Sequence, residues 1–138
     1  MDQSLVERMR EYLNAGLAMD VEALDALYDP DFENIRCDEA GQVVILTKGQ
    51  FMARFRALRE QGQRIGERVD DVRFLATTVY GGQGTIVMHR INEGVPVPYN
   101  FVWRWEDGRW TTLVREFTFD KDITPLIRMA EAARGVSA

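Results

Sequence analysis

Cysteine is almost missing from this 138-residue chain, which carries Cys37 alone, so neither an internal disulfide framework nor a cysteine-rich zinc site is available. That scarcity fits a reducing cytoplasm. Histidine is equally scarce, with His89 the single example, and one His, one Cys and scattered acids do not make a metal-ligand cluster. Four prolines and no Gly/Ser-rich tract or repeat leave nothing to mark a linker. A continuous apolar run is also lacking. The N-terminal MDQSLVERMR mixes charge with apolar residues, so neither a signal peptide nor a membrane anchor is expected. Positive charge is in deficit, with 17 Lys plus Arg against 22 Asp plus Glu and a net charge of -5. Nucleic acid and anionic membrane surfaces are therefore not expected partners.

What is present suits a globular protein. A hydrophobic fraction of 46% in a chain of this length supports one sizeable core, read as a single domain over residues 1–138. Residues 4–18 place Leu5, Met9, Tyr12, Leu13 and Leu17 on one face at helical spacing. Asp20 N-caps a shorter helix that Pro30 closes. Strands are expected at Phe32 to Cys37 and Gln42 to Leu46, and Thr47-Lys48-Gly49-Gln50 matches a capping box opening a third helix that buries Phe51, Phe55 and Leu58.

Longer alternating segments follow at 69–80, 85–93, 97–106 and 109–119, with reversals at Gly81 to Gly84, Gly94 to Pro96 and Asp107-Gly108. They predict a mostly antiparallel sheet. Asp122 and Pro125 open a last helix running to Ala133, stopped by Gly135. The glycines at 81, 82 and 84 lie in a hairpin and lack the strand-to-helix context of a phosphate loop, so no nucleotide cofactor is expected.

Strand alternation divides the sheet into two faces. Pairing Glu106 with Arg109 sets Trp105 beside Trp110, Trp103 beside Thr112, Phe101 beside Val114 and Tyr99 beside Glu116. Pairing Tyr80 with Thr85, and closing tightly at Gly94 to Pro96, adds His89 to this aromatic face. The opposite face then holds Thr77, Met88, Arg90, Arg104, Leu113, Arg115 and Phe117, an Arg-rich composition suited to solvent or a homodimer contact.

The segments Tyr12-Leu13-Asn14-Ala15-Gly16 and Ala26-Leu27-Tyr28-Asp29-Pro30-Asp31-Phe32, with Phe101 through Trp110, resemble the nuclear transport factor 2-like superfamily. That superfamily includes SnoaL-like polyketide cyclases, ketosteroid isomerases and scytalone dehydratases. The resemblance covers nearly the whole chain. It implies an α+β fold: a cone-shaped curved, mostly antiparallel sheet wrapped on three N-terminal helices, with a short C-terminal helix, a pocket opening into the cone, and frequent dimerisation through the outer face. Carried over residue by residue, the isomerase's helix-one tyrosine falls at Met9, its catalytic aspartate at Arg36 and its second acid at Phe101. An arginine cannot abstract the proton and a phenylalanine cannot donate to an oxyanion. Scytalone dehydratase relies on more than one pocket histidine, where this chain has one.

The candidate acid–base residues are His89, whose ordinary pKa lies near neutrality, and Glu116, a carboxylate on an apolar face. Each also has a structural reading, His89 as a hydrogen-bonded strand residue and Glu116 as the partner of an arginine such as Arg36. Tyr12, Met9, Phe55, Tyr99, Phe101, Trp103 and Val114 are the candidate ligand-binding residues. The expected ligand is a small apolar or aromatic molecule, bound without a cofactor. The alternative is a noncatalytic binding or dimerising module.

Overall fold

Local signals start most of the elements. In the computed structural model, which describes residues 1–63, 71–92 and 94–137, Asp2 caps helix α1 (Gln3–Leu17) by accepting from Leu5 N at 3.0 Å. Asp20 does the same for α2 (Val21–Leu27), accepting from Ala23 N at 3.1 Å. Strands β1 (Tyr28–Asp38) and β2 (Val43–Thr47) form a hairpin. Thr47 and Gln50 then build the capping box of α3 (Lys48–Glu60), with Thr47 N donating to Gln50 Oε1 at 2.8 Å and Gln50 N to Thr47 Oγ1 at 3.3 Å.

Strands β3 (Arg73–Tyr80), β4 (Gln83–Asn92), β5 (Val95–Glu106) and β6 (Arg109–Asp120) follow, and α4 (Thr124–Ser137) ends the chain. The fold is α+β. Its curved, unclosed sheet runs β2-β1-β6-β5-β4-β3, antiparallel except where β1 lies parallel to β6. One core cluster joins the inner sheet face to Leu5, Met9 and Tyr12 of α1, Leu24 of α2 and Phe51 and Phe55 of α3.

Three local expectations change. Pro30 lies within β1 instead of closing α2, and the β1–β6 register breaks between Tyr28 and Glu33, which spares the ladder the missing proline N–H. Helix α4 continues through Gly135 to Ser137. The expected strand starts at 69 and 70, with Asp70, and the strand end at Glu93 lie outside the described residues.

The larger corrections concern which side chains face inward. The Asp107-Gly108 turn, with φ of 53° and 78°, sets Glu106 opposite Arg109 and Trp105 opposite Trp110 as the sequence predicts. Two register shifts follow on β6, so Trp103 meets Leu113, not Thr112, and Phe101 meets Glu116, not Val114. Thr118 takes the place expected for Glu116 opposite Tyr99. Val114 falls at the second shift, buried but outside the core cluster.

Strand β4 is turned over as well. Tyr80 pairs with Gln83, and Asn92 with Val95, so the β4–β5 reversal is shifted by an odd number of residues from the one expected. Gly84, Ile86 and Met88 therefore face Trp103, Phe101 and Tyr99, while His89 takes the opposite face. Thr77, Met88, Arg90 and Leu113 sit on the inward side, contrary to the expectation that they face out.

Candidate functional site

The inner face of β6 carries a carboxylate in an otherwise apolar and aromatic setting. Glu116 is 7% exposed, with Phe101 opposite on β5 and Asn34 opposite on β1. Asn34 is fully buried and donates from Nδ2 to Glu116 Oε2 at 2.6 Å. The same amide group also reaches Glu116 O and Thr118 Oγ1, each at 3.3 Å. Its carbonyl oxygen accepts from Arg36 Nε at 2.8 Å, so the amide relays the orientation of a guanidinium to a carboxylate. Arg36 also lies 3.9 Å from Asp120 through Nη1. The arginine expected to pair with Glu116 thus acts on it through Asn34.

On the other side stands Tyr12 of α1. Its hydroxyl lies 2.7 Å from that of Tyr28, and its ring packs edge-on against Tyr28, Phe101 and Trp103. Burial pushes both phenols well above the ordinary tyrosine value, and the nearby Glu116 charge adds to it. They stay neutral donors at any ordinary pH. For Glu116 itself burial is the largest influence and opposes ionisation. Arg36, Asn34, Tyr12 and Arg90 favour the anion, and the balance leaves the carboxyl at about 7. At neutral pH this group is divided between acid and conjugate base, the condition for giving or taking a proton.

The sequence-predicted residues separate into two sets. Met9, Tyr12, Phe55, Phe101, Trp103 and Glu116 share the buried interior, and Tyr99 stacks on Phe101 at 5.9 Å from its half-buried position. Met9 is further tied in by its sulfur, which accepts from Trp103 Nε1 at 3.2 Å. Val114 stands apart at the register shift. His89 lies on the other face, opposite Arg73 and Pro98, and its Nδ1 has no hydrogen-bond partner among the described residues. The structure does not bring the two candidate acid–base residues together.

A cavity of about 970 Å³ lies between β2, α3 and α4. Its wall includes Arg36, Leu46, Phe51, Arg54, Ile123 and Leu126, and none of the sequence-predicted site residues lines it. Arg36 connects this space to Asn34 and Glu116. Sequence reading missed Asn34, and the pocket it expected was assigned to residues other than those that line this cavity. Among the described residues no group of three or more His, Cys, Asp or Glu can hold a metal ion, and no helix is long and apolar enough to cross a membrane.

A curved sheet cupping three helices is the architecture of the nuclear transport factor 2-like class. Within it, residues 6–113 match the model of the SnoaL-like domain, and the chain belongs to that family. Solved structures agree on the fold. An NTF2-like protein of unknown function from Silicibacter pomeroyi DSS-3 superposes with a TM-score of 0.64 at 15% identity, over 84% of this chain and 92% of that one. A second such protein, from Shewanella baltica OS155, gives 0.59 at 11% identity, covering 84% and 90%. The CaMKII hub of S. rosetta gives 0.53 at 15% identity, covering 84% and 93%. No curated protein sequence matches the chain. At these identities the neighbours speak to fold and leave function to the site.

Proposed function

We propose that this chain is a cytoplasmic small-molecule-binding SnoaL-like domain whose ligand enters between β2, α3 and α4, with Glu116 as the acid–base group at the inner end. The observation that carries the reading is Glu116 itself. A buried carboxyl held at about 7, without a direct ion pair at the described residues, is costly to keep and suited to proton transfer. Ligands extending past Arg36 toward Asn34 meet that group beside the aromatic rings of Tyr99 and Phe101, which favours an apolar or aromatic body. Isomerisation, cyclisation, dehydration and hydrolysis without a cofactor all fit a single carboxyl acting in this way.

A thermal-shift panel of aromatic acids, lactones, steroids and polyketides at pH 6 and pH 8 tests this. Binding to the native state raises apparent stability by mass action. At least one aromatic or polycyclic compound is expected to stabilise the protein, with a shift that differs between the two pH values in the native sequence and not in Glu116→Gln. A panel without a hit removes the binding reading. A hit whose pH dependence survives Glu116→Gln removes the acid–base role.

The same proposal includes a homodimer through the outer sheet face. Val43, Ile45, Ile91 and Phe119 are between 39% and 54% exposed, and Phe117 and Ile35 lie paired beside them. Exposed apolar residues grouped on one sheet face mark an interaction surface. Light scattering should find a dimer for the native chain and a monomer for Phe119→Glu; a native monomer at tens of micromolar would rule this contact out.

A further inference from the structure

The cavity between β2, α3 and α4 carries a cation that pairs with neither of the acids lining it. Arg54 of α3 and Arg36 of β1 both line it, together with Asp120 and Asp122. Arg36 is engaged, donating to Asn34 and lying near Asp120. Asp122 is turned to the start of α4, where Oδ1 accepts from Thr124 N at 2.9 Å and from Thr124 Oγ1 at 2.5 Å. Arg54 has neither a hydrogen bond nor an ion pair among the described residues. Arg54 stays exposed to solvent at its outer side, yet partial desolvation and the like charge of Arg36 pull it below the usual arginine value, and no carboxylate offsets them. Around these groups the wall is apolar, from Leu46, Phe51, Ile123 and Leu126.

We propose that this cavity binds a small amphipathic monocarboxylic acid, its carboxylate received by Arg54 beside Arg36 and its apolar body lying against Leu46, Phe51, Ile123 and Leu126. The inference deepens the ligand-binding reading above and rests on it. A planar carboxylate matches the paired donors of a guanidinium, and an anion placed near both arginines relieves their mutual repulsion. Single negative charge is favoured over double, because Asp120 and Asp122 share the same wall and repel added charge. A neutral analogue of equal shape keeps the apolar contacts and loses the charge-assisted bonds.

Titration calorimetry of the full chain at pH 8 with 1-naphthylacetate and 1-naphthylacetamide separates these contributions. The acid is expected to bind roughly tenfold or more tightly than the amide, the margin of charge-assisted hydrogen bonding. Arg54→Gln, at an exposed helix position where glutamine is a comparable helix former, should bring the two affinities together while leaving the amide's unchanged. Equal binding of acid and amide by the native chain, or a preference that survives Arg54→Gln, overturns the carboxylate assignment and leaves the ligand-binding reading standing. Failure of both probes, with neutral aromatic compounds still bound, does the same. If no compound of either kind binds, both fall together.

Discussion

Replacing Glu116 by glutamine should stabilise the protein at pH 8 by up to about 3 kcal/mol and do almost nothing at pH 4. The folded carboxyl sits at about 7 against a model value of 4.5. Below the lower value both folded and unfolded chains hold the proton, and the side chain exerts no pH-linked effect. Between the two values the unfolded chain has released its proton while the folded chain keeps it, so stability falls as pH rises. Above the upper value the folded chain too is ionised, and the full cost of a buried anion is present. At about 1.4 kcal/mol per pKa unit, that interval gives the stated bound. Glutamine never ionises and so escapes the loss. Its oxygen can still accept from Asn34 Nδ2, and its amide can face Tyr12. Urea denaturation at the two pH values reads the difference as a change in midpoint at constant slope. A gain of the same size at both would show that packing, not ionisation, accounts for it. A large gain confined to high pH would mean that the chain retains a destabilising carboxylate where a neutral amide fits, the pattern expected when stability is given up for function.

The elements most legible in the sequence were those whose causes are local. Asp20, Thr47 with Gln50, and Asp107-Gly108 each act on backbone groups within a few residues, and all three stand where the sequence puts them. Sidedness is different, because a single added residue exchanges the faces of everything beyond it. The shifts near Trp103 delivered Leu113 to the interior and moved Glu116 from Tyr99 to Phe101. The β4–β5 reversal sent His89 outward by the same arithmetic. Asn34 shows a second reason. Its role depends on β1 lying parallel to β6, a contact between residues 82 positions apart, and no local pattern contains it. The cavity is less legible still, since its wall comes from β2, α3 and α4, and Arg54 reads in sequence as one more solvated helix residue.

Gly84→Ala should destabilise the fold by about 3 kcal/mol, in the upper range for overpacking a core. Gly84 faces inward on β4 opposite Trp103. A Cβ built there would collide with Trp110 Cη2 and lie 2.8 Å from Cζ3 and 3.1 Å from Leu5 Cδ2. None of these atoms can yield cheaply. Trp110 donates from Nε1 to Ser4 Oγ at 3.0 Å and packs edge-on against Trp105 at 4.7 Å, while Leu5 is fully buried in α1. The indole is therefore seated on the bare backbone of the strand, and a methyl group must push it out or separate α1 from the sheet. Gly16→Ala is the matched control, because nothing lies within 4 Å of a Cβ there and alanine in a helix is favoured by about 1 kcal/mol. Thermal melts of the two variants should move in opposite directions. The comparison also tests the sidedness of the strand: β4 and β5 stay in continuous register from Gln83 to Asn92, so an inward Gly84 requires an inward Met88 and an outward His89. An alanine tolerated at position 84 would mean that the strand presents its other face to Trp110, and His89 would return to the interior beside Glu116.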